Sequence, residues 1–162
     1  MKSLKANGKL LITGEYLILK GAKGLAIPTL YGQSLTFEKN QNDRFLHWNS
    51  LDENNQVWFS ATFDLINSNL VSCSNNERAR FIYNVLVNAW ELAKNKDHLC
   101  GRIVTKLDFN KEWGLGSSST LIWSIASIFE IDPLELHFYT SNGSGYDIVC
   151  AGMNCPITYK LE

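Results

Sequence analysis

Gly114-Leu115-Gly116-Ser117-Ser118-Ser119-Thr120 runs straight into Leu121-Ile122-Trp123-Ser124-Ile125-Ala126-Ser127-Ile128-Phe129, a glycine-and-serine loop opening into an apolar helix. Leu121, Ile122, Ile125, Ala126 and Phe129 recur at i, i+1, i+4, i+5 and i+8, one face of a 3.6-residue period. The glycines let backbone approach a ligand without an intervening side chain. The first turn of the helix offers unpaired N–H groups and the positive end of its dipole, which suits an anion. The hydroxyls of Ser117, Ser118, Ser119 and Thr120 can bond a phosphate oxygen or ligate a hard cation. A second reading stays open, because a Gly-Leu-Gly turn with serine caps also simply starts a buried helix. No Lys follows the last glycine, which excludes a Walker A loop, and the third glycine of a Rossmann fingerprint is absent.

Upstream of the loop the pattern is mostly of period two. Lys9–Thr13 reads as a buried strand, and Gly14-Glu15-Tyr16 breaks it. Leu25–Thr29 is apolar, but Pro28 marks it as an edge or a strand end. Gln33–Lys39 alternates as a half-buried strand, and Phe45–Trp48 is expected to pair with it across the Asn40–Asp43 turn. Val57–Phe63 is a further strand. Ser74-Asn75-Asn76-Glu77 then forms an S-x-x-E capping box for an amphipathic helix ending near Lys94-Asn95-Lys96. Gly101–Phe109 is a strand feeding the glycine loop.

Downstream, Asp132-Pro133-Leu134-Glu135 starts a helix running to about Tyr139, with Asp at N-cap and Pro at N1. Asp147 follows the flexible Gly143-Ser144-Gly145 and heads an apolar run. It is open to two readings, a helix cap or a carboxylate aimed at a substrate hydroxyl. Hairpins first and helices afterwards make the fold class α+β.

A chain of 162 residues has room for one domain with a real core. Apolar residues at 45% and charged residues at 19% are ordinary globular values. The formal charge of −1 leaves no electrostatic footprint for nucleic acid, so no nucleic-acid partner is expected. No run approaches the roughly 18 apolar residues of a membrane helix, and Met1–Gly8 lacks the apolar core of a signal peptide. A cytoplasmic protein without a membrane partner is expected. Cys73, Cys100, Cys150 and Cys155 form no close-set framework, and Cys150–Cys155 and His98–Cys100 lack zinc-site spacing. Isolated His47, His98 and His137 receive no role.

Three stretches together resemble the GHMP kinases, the small-molecule kinases that include mevalonate, phosphomevalonate, homoserine and galactose kinases. Asn7-Gly8-Lys9-Leu10-Leu11-Ile12-Thr13-Gly14-Glu15-Tyr16 is similar to the family's first motif, with Asn7 in place of the usual Pro. Gly114–Ser119 resembles the second, the phosphate loop, with Ser119 in place of Ala. Gly143-Ser144-Gly145-Tyr146-Asp147 resembles the segment that carries the catalytic aspartate in the mevalonate kinase branch. Phosphomevalonate kinases are the branch most similar, with mevalonate kinases close behind.

The resemblance implies a ribosomal-protein-S5-like α+β N-terminal domain over residues 1–162, with nothing in the chain to supply the family's C-terminal domain. It implies that Gly114, Leu115, Gly116, Ser117, Ser118 and Ser119 cradle the triphosphate of ATP, and that Ser118 and Glu15 help hold Mg²⁺. Asp147 would take the proton of the attacking hydroxyl, with Lys9 beside it. The implied reaction is transfer of the γ-phosphoryl group to a hydroxyl or phosphate of a mevalonate-type substrate. The alternative is a non-catalytic nucleotide-binding or self-associating half-domain. An apolar surface left by a missing half would seek a partner, so a homo-oligomer is expected.

Overall fold

The computed structural model describes residues 1–95 and 99–161. Lys96, Asp97, His98 and Glu162 lie outside the described residues, and with them the expected helix end at Lys96 and the His98–Cys100 pair. The fold begins with two long strands, β1 (Lys2–Thr13) and β2 (Gly24–Lys39), followed by β3 (Leu46–Leu51), β4 (Val57–Asp64) and β5 (Asn69–Cys73). Helix α1 (Asn76–Leu92) leads to β6 (Gly101–Leu107). Helices α2 (Ser117–Phe129), α3 (Pro133–Thr140) and α4 (Tyr146–Ala151) and the short β7 (Ile157–Tyr159) complete the described chain. The class is α+β, as expected.

The sheet runs in the order β1-β2-β6-β3-β4-β5, with β7 on β2. All pairs are antiparallel except β3 with β6. This corrects the expected β2–β3 hairpin. Strand β6 inserts between the two, and β4, β5 and α1 supply the long crossover that a parallel pair requires. Burial alternates along β3, β4 and β6, so one sheet face is turned inward. Leu35, Trp48, Phe63 and Ile103 on that face pack with Ile82 and Leu86 of α1 and Ile122 and Ile125 of α2.

Pro28 lies within β2 rather than at its end. It falls between the Gly24–Ala26 stretch that pairs with β7 and the Gln33–Lys39 stretch that pairs with β6. There β2 is hydrogen-bonded on one side only, next to its own bulge, where Thr29, Leu30 and Tyr31 oppose Gly8 alone, and a residue without an N–H is tolerated.

Helix α1 is capped by Asn75, whose side chain accepts the Arg78 N–H at 2.9 Å, and not by Ser74. The Ser74 hydroxyl is already engaged across the sheet margin, accepting the Ser60 N–H at 3.0 Å. The Asp132 cap of α3 is as expected, accepting the Leu134 N–H at 2.8 Å with Pro in the first turn. Among the described residues no helix is long and apolar enough to cross a membrane.

Candidate functional site

The glycine loop is pinned from below. Leu107 at the end of β6, Phe109 and Leu115 form a small buried cluster of their own. Between them Asn110 caps a short 3₁₀ turn (Lys111–Trp113), its side chain accepting the Glu112 N–H at 3.0 Å. Gly114 (φ 68°) and Gly116 (φ 91°) turn the chain through the left-handed region, and Gly116 is the N-cap of α2 with no side-chain cap. The serine-capped start therefore does not occur. The first helical bond runs from Thr120 N–H to Gly116 C=O at 3.0 Å, so the amides of Ser117, Ser118 and Ser119 have no partner among the described residues.

The hydroxyls divide into two sets. Ser119 Oγ donates to Gly116 C=O at 2.8 Å, and Thr120 Oγ1 reaches the same carbonyl as well as Gln33 Oε1 at 2.9 Å. Both residues are buried, so Ser119 offers a ligand its amide rather than its hydroxyl. Ser118 is exposed and Ser117 half-buried. The open end of α2 thus presents three free amides and two outward hydroxyls, a donor set that fits a phosphate group.

Lys9 is tied to this loop three times. Its backbone N–H donates to Leu115 C=O at 2.9 Å, and its ammonium donates to Gly114 C=O at 3.2 Å. Its aliphatic stem crosses Gly116 so closely that a Cβ there would stand 3.2 Å from Lys9 Cγ. A side chain at Gly116 would force this stem to shift. The ammonium also lies 5.8 Å from the centre of the Tyr146 ring, and Tyr146 opens α4.

Asp147 is the second residue of α4, whose N-cap is Gly145 (φ 81°), so the aspartate is not the cap. It is half-buried, and Oδ1 accepts the Ile148 N–H at 3.1 Å. One turn on, burial and then the Asp147 carboxylate push the Cys150 thiol up to about 11, while Lys9 pulls it the other way. Cys150 thus lies within the field of both charges and stays a neutral thiol at physiological pH. Tyr159 is likewise raised, first by burial and then by Asp147. Its hydroxyl donates to Ser144 C=O at 2.5 Å, which fastens β7 to the turn before Asp147.

Glu15 is exposed in the turn after β1, and among the described residues it shares no hydrogen bond with Ser118. Nor do the described residues contain a cluster of three or more His, Cys, Asp or Glu side chains fit for a metal ion. The structure brings Lys9 onto residues 114–116 and against the Tyr146 ring, and Asp147 follows Tyr146 at the head of α4.

On the rim formed by Ser118 opens a polar cleft of about 390 Å³ that no motif in the sequence marks. Its aromatic wall is Trp58 of β4, with the Arg78 guanidinium 5.3 Å and the Lys111 ammonium 5.5 Å from the ring centre. Trp58 Nε1 is buried without a partner. These residues come from β4, α1 and the 3₁₀ turn, so only the folded chain assembles them.

No protein-family model matches the sequence, and no curated protein matches it either. Solved structures do. The chain is similar to Methanococcus jannaschii mevalonate kinase (TM-score 0.72, 12% identity) over 98% of its own length and 53% of that chain. It is similar to a D-glycero-D-manno-heptose 1-phosphate kinase from Bacteroides thetaiotaomicron (0.67, 18%) over 98% and 55%. It is also similar to Streptococcus pneumoniae phosphomevalonate kinase, solved with phosphomevalonate and AMPPNP (0.62, 18%), over 93% and 47%. These structural neighbours are GHMP-family kinases, and at such identities the likeness is one of fold. The chain spans about half the length of each.

Proposed function

We propose that the chain carries the nucleotide- and acceptor-binding part of an ATP-dependent small-molecule kinase. The observation that carries this reading is the convergence of Lys9, the open amides of the glycine loop and the head of α4, which bears Asp147. Phosphoryl transfer asks little covalent chemistry of a protein. It needs an in-line geometry and charge neutralisation around the transferred group. The free amides of Ser117, Ser118 and Ser119 and the helix dipole suit the phosphates, and the Lys9 ammonium suits the charge that spreads over the γ-phosphoryl oxygens.

In this reading the acceptor oxygen attacks the γ-phosphorus, the bond to the β–γ bridging oxygen breaks, and ADP leaves. Asp147 receives the proton of an acceptor hydroxyl, and an acceptor that presents a phosphate oxygen needs no such transfer. Mg²⁺, when bound, would supply positive charge that offsets the charge of the phosphates. Ser118 and Glu15 are the oxygen donors proposed for it, and one or two protein oxygens suffice for a Mg²⁺ otherwise held by phosphates and water. The exposed Ser118 hydroxyl beside the free amides supports its part. The cleft lined by Trp58, Arg78 and Lys111 continues from Ser118 and takes the rest of the nucleotide.

The acceptor proposed is of the mevalonate or phosphomevalonate class, on the motif resemblance and two of the structural neighbours. ADP release from MgATP with each acceptor tests this. Turnover that Asp147→Asn abolishes, with ATP binding retained, is the expected result. Equal loss of turnover and binding would make Asp147 structural.

A second reading has its own observation. It takes the chain as a nucleotide-binding half-domain that associates with a second copy of itself. Exposed apolar side chains on β1, on β2 and in the connection between them offer a surface for that. Leu10, Ile12, Leu17, Leu19 and Leu30 are all about half exposed or more. Self-association through this patch is proposed.

A further inference from the structure

We propose that Tyr146 is a positioning residue that holds the Lys9 ammonium in place for the reaction. The inference rests on the kinase reading above and adds to it a residue that the motifs leave without a role. Three of the four constraints on Lys9 come from the glycine loop: the bond from its N–H to Leu115, the bond from its ammonium to Gly114, and the passage of its stem over Gly116. The fourth is the Tyr146 ring, 5.8 Å from the ammonium.

That ring is the constraint on Lys9 that comes from the element bearing Asp147. Tyr146 directly precedes the aspartate at the start of α4, and Gly145 at φ 81° sets the turn that aims both. A Cβ on Gly145 would stand 2.7 Å from Leu134 and 3.4 Å from His137, so the turn is packed against α3. Tyr159 holds the preceding carbonyl of Ser144. The ring is therefore mounted on a braced turn, and the flexible cation rests against it. Lysine carries several rotatable bonds, and an ammonium tethered by one carbonyl alone sweeps a cone of positions. An aromatic face within about 6 Å attracts the charge and narrows that cone. Cys150, its thiol raised by burial and then by Asp147 and lowered by Lys9, lies within electrostatic reach of both charges.

The test compares Tyr146→Phe, which keeps the ring, with Tyr146→Leu, which removes it. The direct readout is the proton chemical shift of the Lys9 ε-methylene, assigned by its loss in Lys9→Met. Ring-current displacement is expected in the wild type and in Tyr146→Phe, with return to the free-lysine position in Tyr146→Leu. An undisplaced signal in the wild type overturns the proposal whether or not any variant folds. The kinetic readout is a fall in kcat of about threefold to thirtyfold for Tyr146→Leu with KM for ATP unchanged, the range a single cation–π contact supports. Tyr146→Phe is expected to match the wild type. A ring-current signature that behaves as expected in a protein with no turnover would sink the kinase reading and leave the contact standing. Turnover that Tyr146→Leu leaves untouched would sink the positioning role alone.

Discussion

Gly116→Ala is the perturbation that asks most of the loop geometry. At φ 91° an alanine pays for a left-handed backbone, about 1–2 kcal/mol. Its Cβ would stand 2.6 Å from Ser119 Oγ, which must leave the bond it donates to Gly116 C=O. That loss adds about 1 kcal/mol. Lys9 Cγ at 3.2 Å and Cε at 3.3 Å must also give way. The expected destabilisation is about 2–3 kcal/mol. Gly114→Ala is the matched control, with φ 68° and nothing within 4 Å of its Cβ. It bears the backbone term alone, about 1 kcal/mol. Urea unfolding should therefore separate the two variants by at least about 1 kcal/mol, or roughly 2–4 °C in Tm for a chain of this size. In a Ser119→Ala background the cost of Gly116→Ala should shrink by about 1 kcal/mol, since the clashing oxygen is gone. Equal costs for the two glycine variants, together with no relief from Ser119→Ala, would refute the packing of Ser119 and Lys9 on Gly116.

Asp64 accepts from Asn67 Nδ2 at 2.8 Å and Arg44 Nη2 at 2.6 Å. The Asn67 side chain foremost, and Arg44 with it, holds its carboxyl below the ordinary 3.8 against the opposing effect of burial. A folded value below the unfolded one means that the stabilisation is complete above about 3.8 and is lost as pH falls through the depressed value. Asp64→Asn should be less stable than wild type at pH 7, with the gap closing as pH falls below 3.8 and through the depressed value; a constant gap in acid unfolding curves would contradict this. Self-association through the Leu10, Ile12 and Leu30 side should appear in light scattering as a mass that rises with concentration and falls in Leu30→Lys. A monomer at every concentration would dispose of it.

The glycine loop, α2, the Asp132 cap and the alternating strands were legible because each rests on neighbours in sequence. The order of the sheet was not. Gln33–Lys39 and Phe45–Trp48 look like the two arms of a hairpin, but the partner that wins both edges is β6, some fifty residues later, and strand pairing carries no local mark. Ser74 missed the cap by one place because its hydroxyl answers to Ser60 across the sheet. Strand β5 carries no local mark either, because its five residues lack clear alternation. The cleft at Trp58 was invisible for a related reason. Arg78, Lys111 and Trp58 read one by one as surface cations and a strand aromatic, and only the crossover from β4 through α1 sets them around one ring.

The Lys9–Gly114 contact joins residues 105 positions apart. On a ribosome, at about 5–20 residues per second, that is roughly 5–20 s between the emergence of the cation and of the carbonyl it will meet. Strands β1 and β2 can pair during this interval, since their turn is local, but β2 then waits with its other edge bare until β6 appears. An open strand edge beside exposed leucines is a template for pairing with the wrong chain. When β6 arrives, its Arg102 lies opposite Glu38 of β2, an opposite-charge pair that favours the right partner. The Lys9–Gly114 contact can thus form only after the strand that covers this edge has been synthesised.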